Sequence, residues 1–172
     1  GGGSVGGALA GWHMVNNQPR TVRAGQDSMK VSVLGPSFSQ QQAVTILQKY
    51  GAPYHQKNAM NEVCEQTAAY LDQGLVVGWF QGRMEFGPRA LGGRSIIADP
   101  RSSEMQKQLN LKVKYRENCR PFAPSVLRED VKEWFEHDTD SPYMLLVVDV
   151  QKDKRRVMTK EEELLFGIDK LN

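Results

Sequence analysis

Three arginines, one glutamate and four glycines crowd the fourteen residues GRMEFGPRALGGRS, residues 82 to 95. The stretch is too broken for a helix interior and too charged for a core strand. Arg83, Arg89 and Arg94 each offer a planar, two-pronged donor, and backbone N–H groups of a glycine-rich turn can cradle an anion. Further along, Lys112, Lys114 and Arg116 alternate with Val113 and Tyr115, and Arg120 follows. On an extended backbone those three cations project from one face. A file of cations beside such a loop suits a polyphosphate. Two other readings fit the same residues: a nucleic-acid surface, and a solvated loop followed by an edge strand of alternating cations.

Known phosphate loops do not narrow the choice, because GxxxxGK[ST] is absent and Gly87 with Gly92–Gly93 does not form GxGxxG. Nor does the chain assemble a metal site, since His13, His55 and His137 are scattered and Cys64 and Cys119 lie outside any CxxC pattern. Two cysteines make no disulfide framework, which suits a reduced, cytoplasmic chain. No apolar run approaches the ~20 residues that span a bilayer, and the first residues do not read as a signal peptide. At 172 residues and 40% apolar composition the chain can bury a core. Its formal charge of +2 hides an asymmetry. Arg83 to Arg120 holds nine basic and four acidic residues, +5, leaving 13 and 16 elsewhere, −3. The positive quarter points to an anionic partner.

The elements that must position these cations follow from periodicity. Residues 4 to 16 are small and apolar and predict a helix that packs closely on a neighbour; 17 to 30 read as a polar linker. VSVLGPSFS is expected to be extended. Ser39 opens a helix, with Ala43, Ile46, Leu47 and Tyr50 at helical spacing and Gly51 as its stop. A second helix is expected from about Asn61 to Gln73, with Met60, Val63, Cys64, Thr67 and Leu71 buried and Gly74 closing it. LVVGWF (75–80) reads as a buried strand and SIIAD (95–99) as the strand leaving the arginine loop. Ser102 or Ser103 caps a helix to about Leu111. RPFAPSVL is extended, EDVKEWFE a short helix, YMLLVVDV (143–150) the clearest strand, and KEEELLF a helical turn. The alternation predicts an α/β or α+β fold on a mixed sheet.

GWFQGRMEFGPRALGGRSIIADPR followed by LNLKVKYRENCRPFAPSVL closely resembles the C-terminal region of the O-carbamoyltransferases of the nodulation and antibiotic-tailoring type, over at least residues 75 to 135. The family joins an N-terminal Kae1-like domain to a C-terminal YrdC-like one, a twisted mixed sheet flanked by helices. The resemblance implies that residues 1–34 are a remnant of the Kae1-like domain and linker. Residues 35–172 would then be the YrdC-like domain, truncated at its C-terminal end. The chain is therefore expected to be a piece of a longer protein and inactive alone. In place of a complete site, the later serine- and asparagine-bearing segment of YrdC-like proteins is not visible, which would leave the pocket open on one side.

The resemblance further implies binding of ATP and carbamoyl phosphate and formation of carbamoyl-adenylate for O-carbamoylation of a hydroxyl. KYRENCRPF is similar to the YrdC-like signature, which puts Lys114, Arg116 and Arg120 at the nucleotide and carbamoyl groups, Lys114 and Arg116 in the catalytic role, with Lys112 near them. Arg83, Glu85, Arg89 and Arg94 match the family's arginine- and glycine-rich loop, with Arg89 and Arg94 the first choices for touching ligand. Mg²⁺ accompanies ATP, within reach of Glu85 or Asp99, although Asp99 before Pro100 reads better as a turn residue. Iron or another metal is expected only in the Kae1-like domain. Cations fixed in a dry pocket stabilise charge growing on phosphate oxygens, so no Ser/His/Asp triad is required. Cys119 between Arg116 and Arg120 is a weaker nucleophile candidate. Trp79, Phe80, Phe86, Tyr115 and Phe122 flank the cations as stacking candidates, Phe86 and Tyr115 foremost. The expected partners are ATP, carbamoyl phosphate and the Kae1-like domain, with a homodimer admitted and no membrane. RNA binding by the same basic surface is the alternative.

Overall fold

Ser39 starts its helix for a reason visible in its own side chain. Its hydroxyl accepts from the Gln42 amide at 3.2 Å, and the Gln42 carboxamide accepts from the Ser39 amide at 2.8 Å. This reciprocal box satisfies two otherwise orphaned donors at the first turn. Helix α2, Gln40–Lys49, follows from it and ends at the Gly51 turn. The preceding helix, α1 (Gly2–Ala10), gives way to a widened turn at Gly11–Val15. The structure, a computed structural model, describes residues 2–118 and 120–165.

These residues fall into two compact units, Gly1–Val63 with Gly78–Ile96, and Cys64–Val77 with Ile97–Asn172. Helix α3 is Met60–Asp72. Gly74 closes it with φ +76, a left-handed conformation that costs glycine nothing, and its amide reaches the Leu71 carbonyl at 2.9 Å. Strands β1 (Val77–Phe80) and β2 (Arg94–Ile97) form a two-stranded antiparallel sheet. Helices α4 (Met105–Gln108), α5 (Val131–Trp134) and α6 (Lys160–Leu164) are short. The last begins with a second capping box, Thr159 with Glu162. The architecture is mixed helix and strand, and among the described residues no helix is long and apolar enough to cross a membrane.

Several expectations fail, each for a local reason. Lys30, Val31 and Ser32 all take positive φ, so VSV forms a tight turn instead of an extended piece. Cys64 is exposed, because the half-buried line on α3 runs through Val63, Thr67 and Leu71 at fourfold spacing and leaves Cys64 to one side. The strand expected at 75–80 is shorter and only half buried, with Phe80 52% exposed. Neither Ser102 nor Ser103 accepts a capping hydrogen bond through its side chain at the start of α4, which begins after Glu104. YMLLVVDV forms no strand: Met144 turns left-handed at φ 52, and pairing is limited to one isolated bridge between Phe135 and Val150. β-branched residues favour a pleated surface only where a neighbour supplies one.

Buried side chains are few and instructive. Among the described residues, Met105 and Leu109 are the buried apolar pair, while Ser32, Glu85 and Asn110 are buried and polar. Two of those three polar residues lie among the cations singled out by the sequence. A groove of about 400 Å³ between α2 and residues 54–60 includes none of the expected site residues.

Candidate functional site

The arginine loop folds around its single acid. Glu85 is 3% exposed, and its Oε1 accepts from the amides of Leu91 and Gly93, both at 2.7 Å. Its Oε2 lies 3.3 Å from Arg94 Nε. Burial pushes this carboxyl up, but the amides of Leu91, Glu85, Gly93 and Arg94 outweigh it and hold the group below its ordinary value of 4.5. Arg94 Nη2 also donates to the Gly87 carbonyl, and Arg83 Nε donates to the Gly35 carbonyl. Gly93 must be glycine for steric reasons: an added Cβ would sit 2.8 Å from the Arg83 carbonyl oxygen and 3.2 Å from Glu85 Oε1.

The glycine-rich turn is thus a nest already holding an anion, the protein's own carboxylate. That corrects the expectation of open amides cradling a phosphate: the Leu91 and Gly93 donors are committed to Glu85. It also separates the three arginines. Arg83 and Arg94 tie the loop together, whereas Arg89 is exposed and makes no hydrogen bond or ion pair among the described residues.

The second cationic segment is built on a neutral hub. After α4 the backbone widens over Leu109–Val113, with the Lys114 amide bonding Leu109 at 2.8 Å and the Arg116 amide bonding Asn110 at 3.0 Å. Tyr115 takes φ 50 to make the turn. Lys112, Lys114 and Arg116 therefore do not share one face of an extended strand, because the turn destroys the alternation. Asn110 sits inside this turn, fully buried. Its Nδ2 donates to the carbonyls of Asn118 at 2.9 Å and Arg120 at 2.8 Å, and its Oδ1 accepts from Arg116 Nε at 2.7 Å. The Arg116 guanidinium carbon lies 4.9 Å from the centre of the Phe122 ring, a cation–π distance. Lys112, Lys114 and Arg120 are exposed.

The first cluster belongs to one compact unit and the second to the other, so each is a site in its own right. Asp99 is a turn residue: its carboxylate takes the Arg101 amide at 2.9 Å and the Arg101 guanidinium, which hold it below the usual carboxylate range. Among the described residues no three metal-ligating side chains gather. Glu85 and Asp99, the two carboxylates expected within reach of Mg²⁺, are both engaged with donors of the protein itself. Phe86 and Tyr115 are exposed, Tyr115 at 85%, while Phe122 is the ring that meets a cation. Cys119 lies outside the described residues. Sequence reasoning missed Asn110. The signal was available in principle, as an asparagine between two leucines where the apolar periodicity calls for burial.

Comparison with known proteins brings both clusters into one frame. The family model described as the carbamoyltransferase C-terminus matches residues 68–162. An uncharacterized protein of Synechocystis is 51% identical over 99% of this chain and 28% of its own length. A nodulation protein of Sinorhizobium fredii is 48% identical over 57% of this chain and 15% of its own. The 3'-hydroxymethylcephem-O-carbamoyltransferase of Streptomyces clavuligerus is 49% identical over 44% of this chain and 14% of its own. The matched part of the chain spans 28% or less of the length of these relatives.

Proposed function

The chain belongs to the carbamoyltransferase C-terminal family, and from that premise we propose that it is the nucleotide- and carbamoyl-phosphate-binding part of an O-carbamoyltransferase. In this reading residues 35–172 form a YrdC-like domain, and 1–34 belong to the preceding Kae1-like domain and linker. The observation that carries it is the span of the family match, which takes in both cationic clusters. The relatives' names support the hydroxyl acceptor, since one of them is an enzyme that carbamoylates a hydroxymethyl group.

The chemistry proceeds in balanced steps. Water releases phosphate from carbamoyl phosphate and leaves carbamate. A carbamate oxygen attacks the α-phosphorus of ATP, forming the new O–P bond as the bond to pyrophosphate breaks. The acceptor hydroxyl then attacks the carbamoyl carbon and AMP departs, the hydroxyl proton passing to solvent or a base. Charge builds on phosphate oxygens in the middle step, where fixed cations are most effective. Lys114 and Arg116 are the catalytic pair, with Lys112 and Arg120 of the same turn binding the anions, and Arg89 is the anion-binding cation of the separate arginine loop. Glu85, Arg83 and Arg94 shape the loop. Mg²⁺ would accompany ATP and would supply further neutralisation of charge on its phosphates. Iron or a similar ion belongs to the Kae1-like domain, and the protein works in the cytoplasm.

Calorimetric titration of the full-length protein with ATP and with carbamoyl phosphate tests this reading. Lys114→Ala and Arg116→Ala are expected to weaken ATP binding at least tenfold. Wild-type affinity in both variants would overturn the assignment.

A further inference from the structure

We infer that Asn110 is a positioning residue of the carbamoyl-transfer site, acting by presenting the free edge of the Arg116 guanidinium to a phosphate group. The inference rests on the functional reading above and adds a residue that it did not contain.

The argument begins with what a guanidinium can do. It has one Nε–H, two terminal nitrogens and two flat faces. Asn110 Oδ1 takes the Nε–H at 2.7 Å, and the Phe122 ring lies 4.9 Å from the guanidinium carbon. One edge and one face are thereby fixed. What remains is the terminal fork of Nη1 and Nη2, for which no partner occurs among the described residues. That fork matches two oxygens of one phosphate. A long arginine chain ordinarily loses considerable rotamer entropy on binding. Here much of that ordering is done before a ligand arrives.

Asn110 is suited to the task because it is held as firmly as it holds. Its two donors close on the carbonyls of Asn118 and Arg120, and it is fully buried. An amide hub supplies the acceptor without adding charge, so the arginine keeps its full attraction for an anion. An aspartate there would satisfy Arg116 Nε but face two carbonyl oxygens and cancel the cation.

A double-mutant cycle on the full-length protein tests the link. Carbamoyl-transfer rates are measured for Asn110→Ala, Arg116→Ala and the double variant, with KM for ATP and for carbamoyl phosphate determined separately. Asn110→Ala is expected to lower kcat/KM ten- to a hundredfold. The double variant is expected to fall within about threefold of Arg116→Ala, because the asparagine has nothing left to position. The substrate whose KM rises identifies the phosphate that Arg116 grips. Strictly multiplicative losses would reduce Asn110 to a structural residue and overturn the inference. Full activity in Asn110→Ala with a disabled Arg116→Ala would overturn it while sparing the functional reading, whereas full activity in Arg116→Ala would sink both. Should the alanine variant fail to fold, Asn110→Asp preserves the volume. Wild-type kcat/KM in that variant counts against the inference, and a tenfold or greater loss supports it.

Discussion

The arginine loop and the turn after α4 solve the same problem with opposite hubs. In the loop a buried carboxylate gathers backbone amides and neutralises Arg94. In the turn a buried carboxamide gathers backbone carbonyls and holds Arg116 with no loss of charge. A charged hub makes a rigid frame but consumes a cation. A neutral hub makes a frame and leaves the cation available. The difference sorts the arginines without reference to any ligand: Arg83 and Arg94 are bonded within the loop, whereas the terminal nitrogens of Arg116 have no partner among the described residues.

Removing the charged hub should have the largest effect. Glu85→Ala orphans two amides and leaves Arg94 without its carboxylate partner, a loss of about 3 kcal/mol in urea-unfolding free energy. The same hub should be acid-sensitive and the neutral one should not. The folded Glu85 carboxyl lies below its ordinary value of 4.5. As pH falls the unfolded chain takes up the proton first, so the stabilisation is complete well above pH 4.5 and disappears as acidification passes the folded value. Glu85→Gln should abolish that component of the pH profile, and an unchanged profile would refute the role given to the carboxylate.

Crowding the loop comes next. Gly93→Ala pushes a methyl group against the Arg83 carbonyl and the Glu85 carboxylate, and should lower stability by about 2 kcal/mol in thermal melts. The smallest effect belongs to the turn. Phe122→Leu removes the ring beneath Arg116 at a cost of roughly 0.5–1 kcal/mol, read as an approximately threefold rise in the Kd for ATP with little change in Tm. A larger stability change than binding change would erase the contrast between the two regions.

How far these regions were legible in sequence depends on what each uses. The ends of α2 and α3 were readable, because Ser39, Gly51 and Gly74 act within a few residues of their own position. The cations themselves were readable as types. Their division into scaffold and free groups was not, because it depends on Glu85 turning inward to meet Leu91 and Gly93, six and eight residues away. The file of Lys112, Lys114 and Arg116 was misread because Tyr115 takes a left-handed turn that a tyrosine seldom adopts. YMLLVVDV was misread for a different cause. Its apolar content is real, but Leu145 and Val147 remain 79% and 100% exposed, and a strand is defined by its neighbour as much as by its residues.

The two capping boxes carry the contrast of charged and neutral hubs to the helix ends. In α2 the partner of Ser39 is Gln42, a side chain that does not titrate. In α6 the partner of Thr159 is Glu162, whose carboxyl is held below its usual range by the Thr159 amide and by Arg156 at 2.7 Å. Acid therefore discriminates between the two helix starts. The Thr159 cap frays as Glu162 is protonated, while the Ser39 cap is indifferent to the same change. Acidification to below the ordinary glutamate value of 4.5 would thus loosen the chain at residues 159–164 and leave the turn that opens α2 intact.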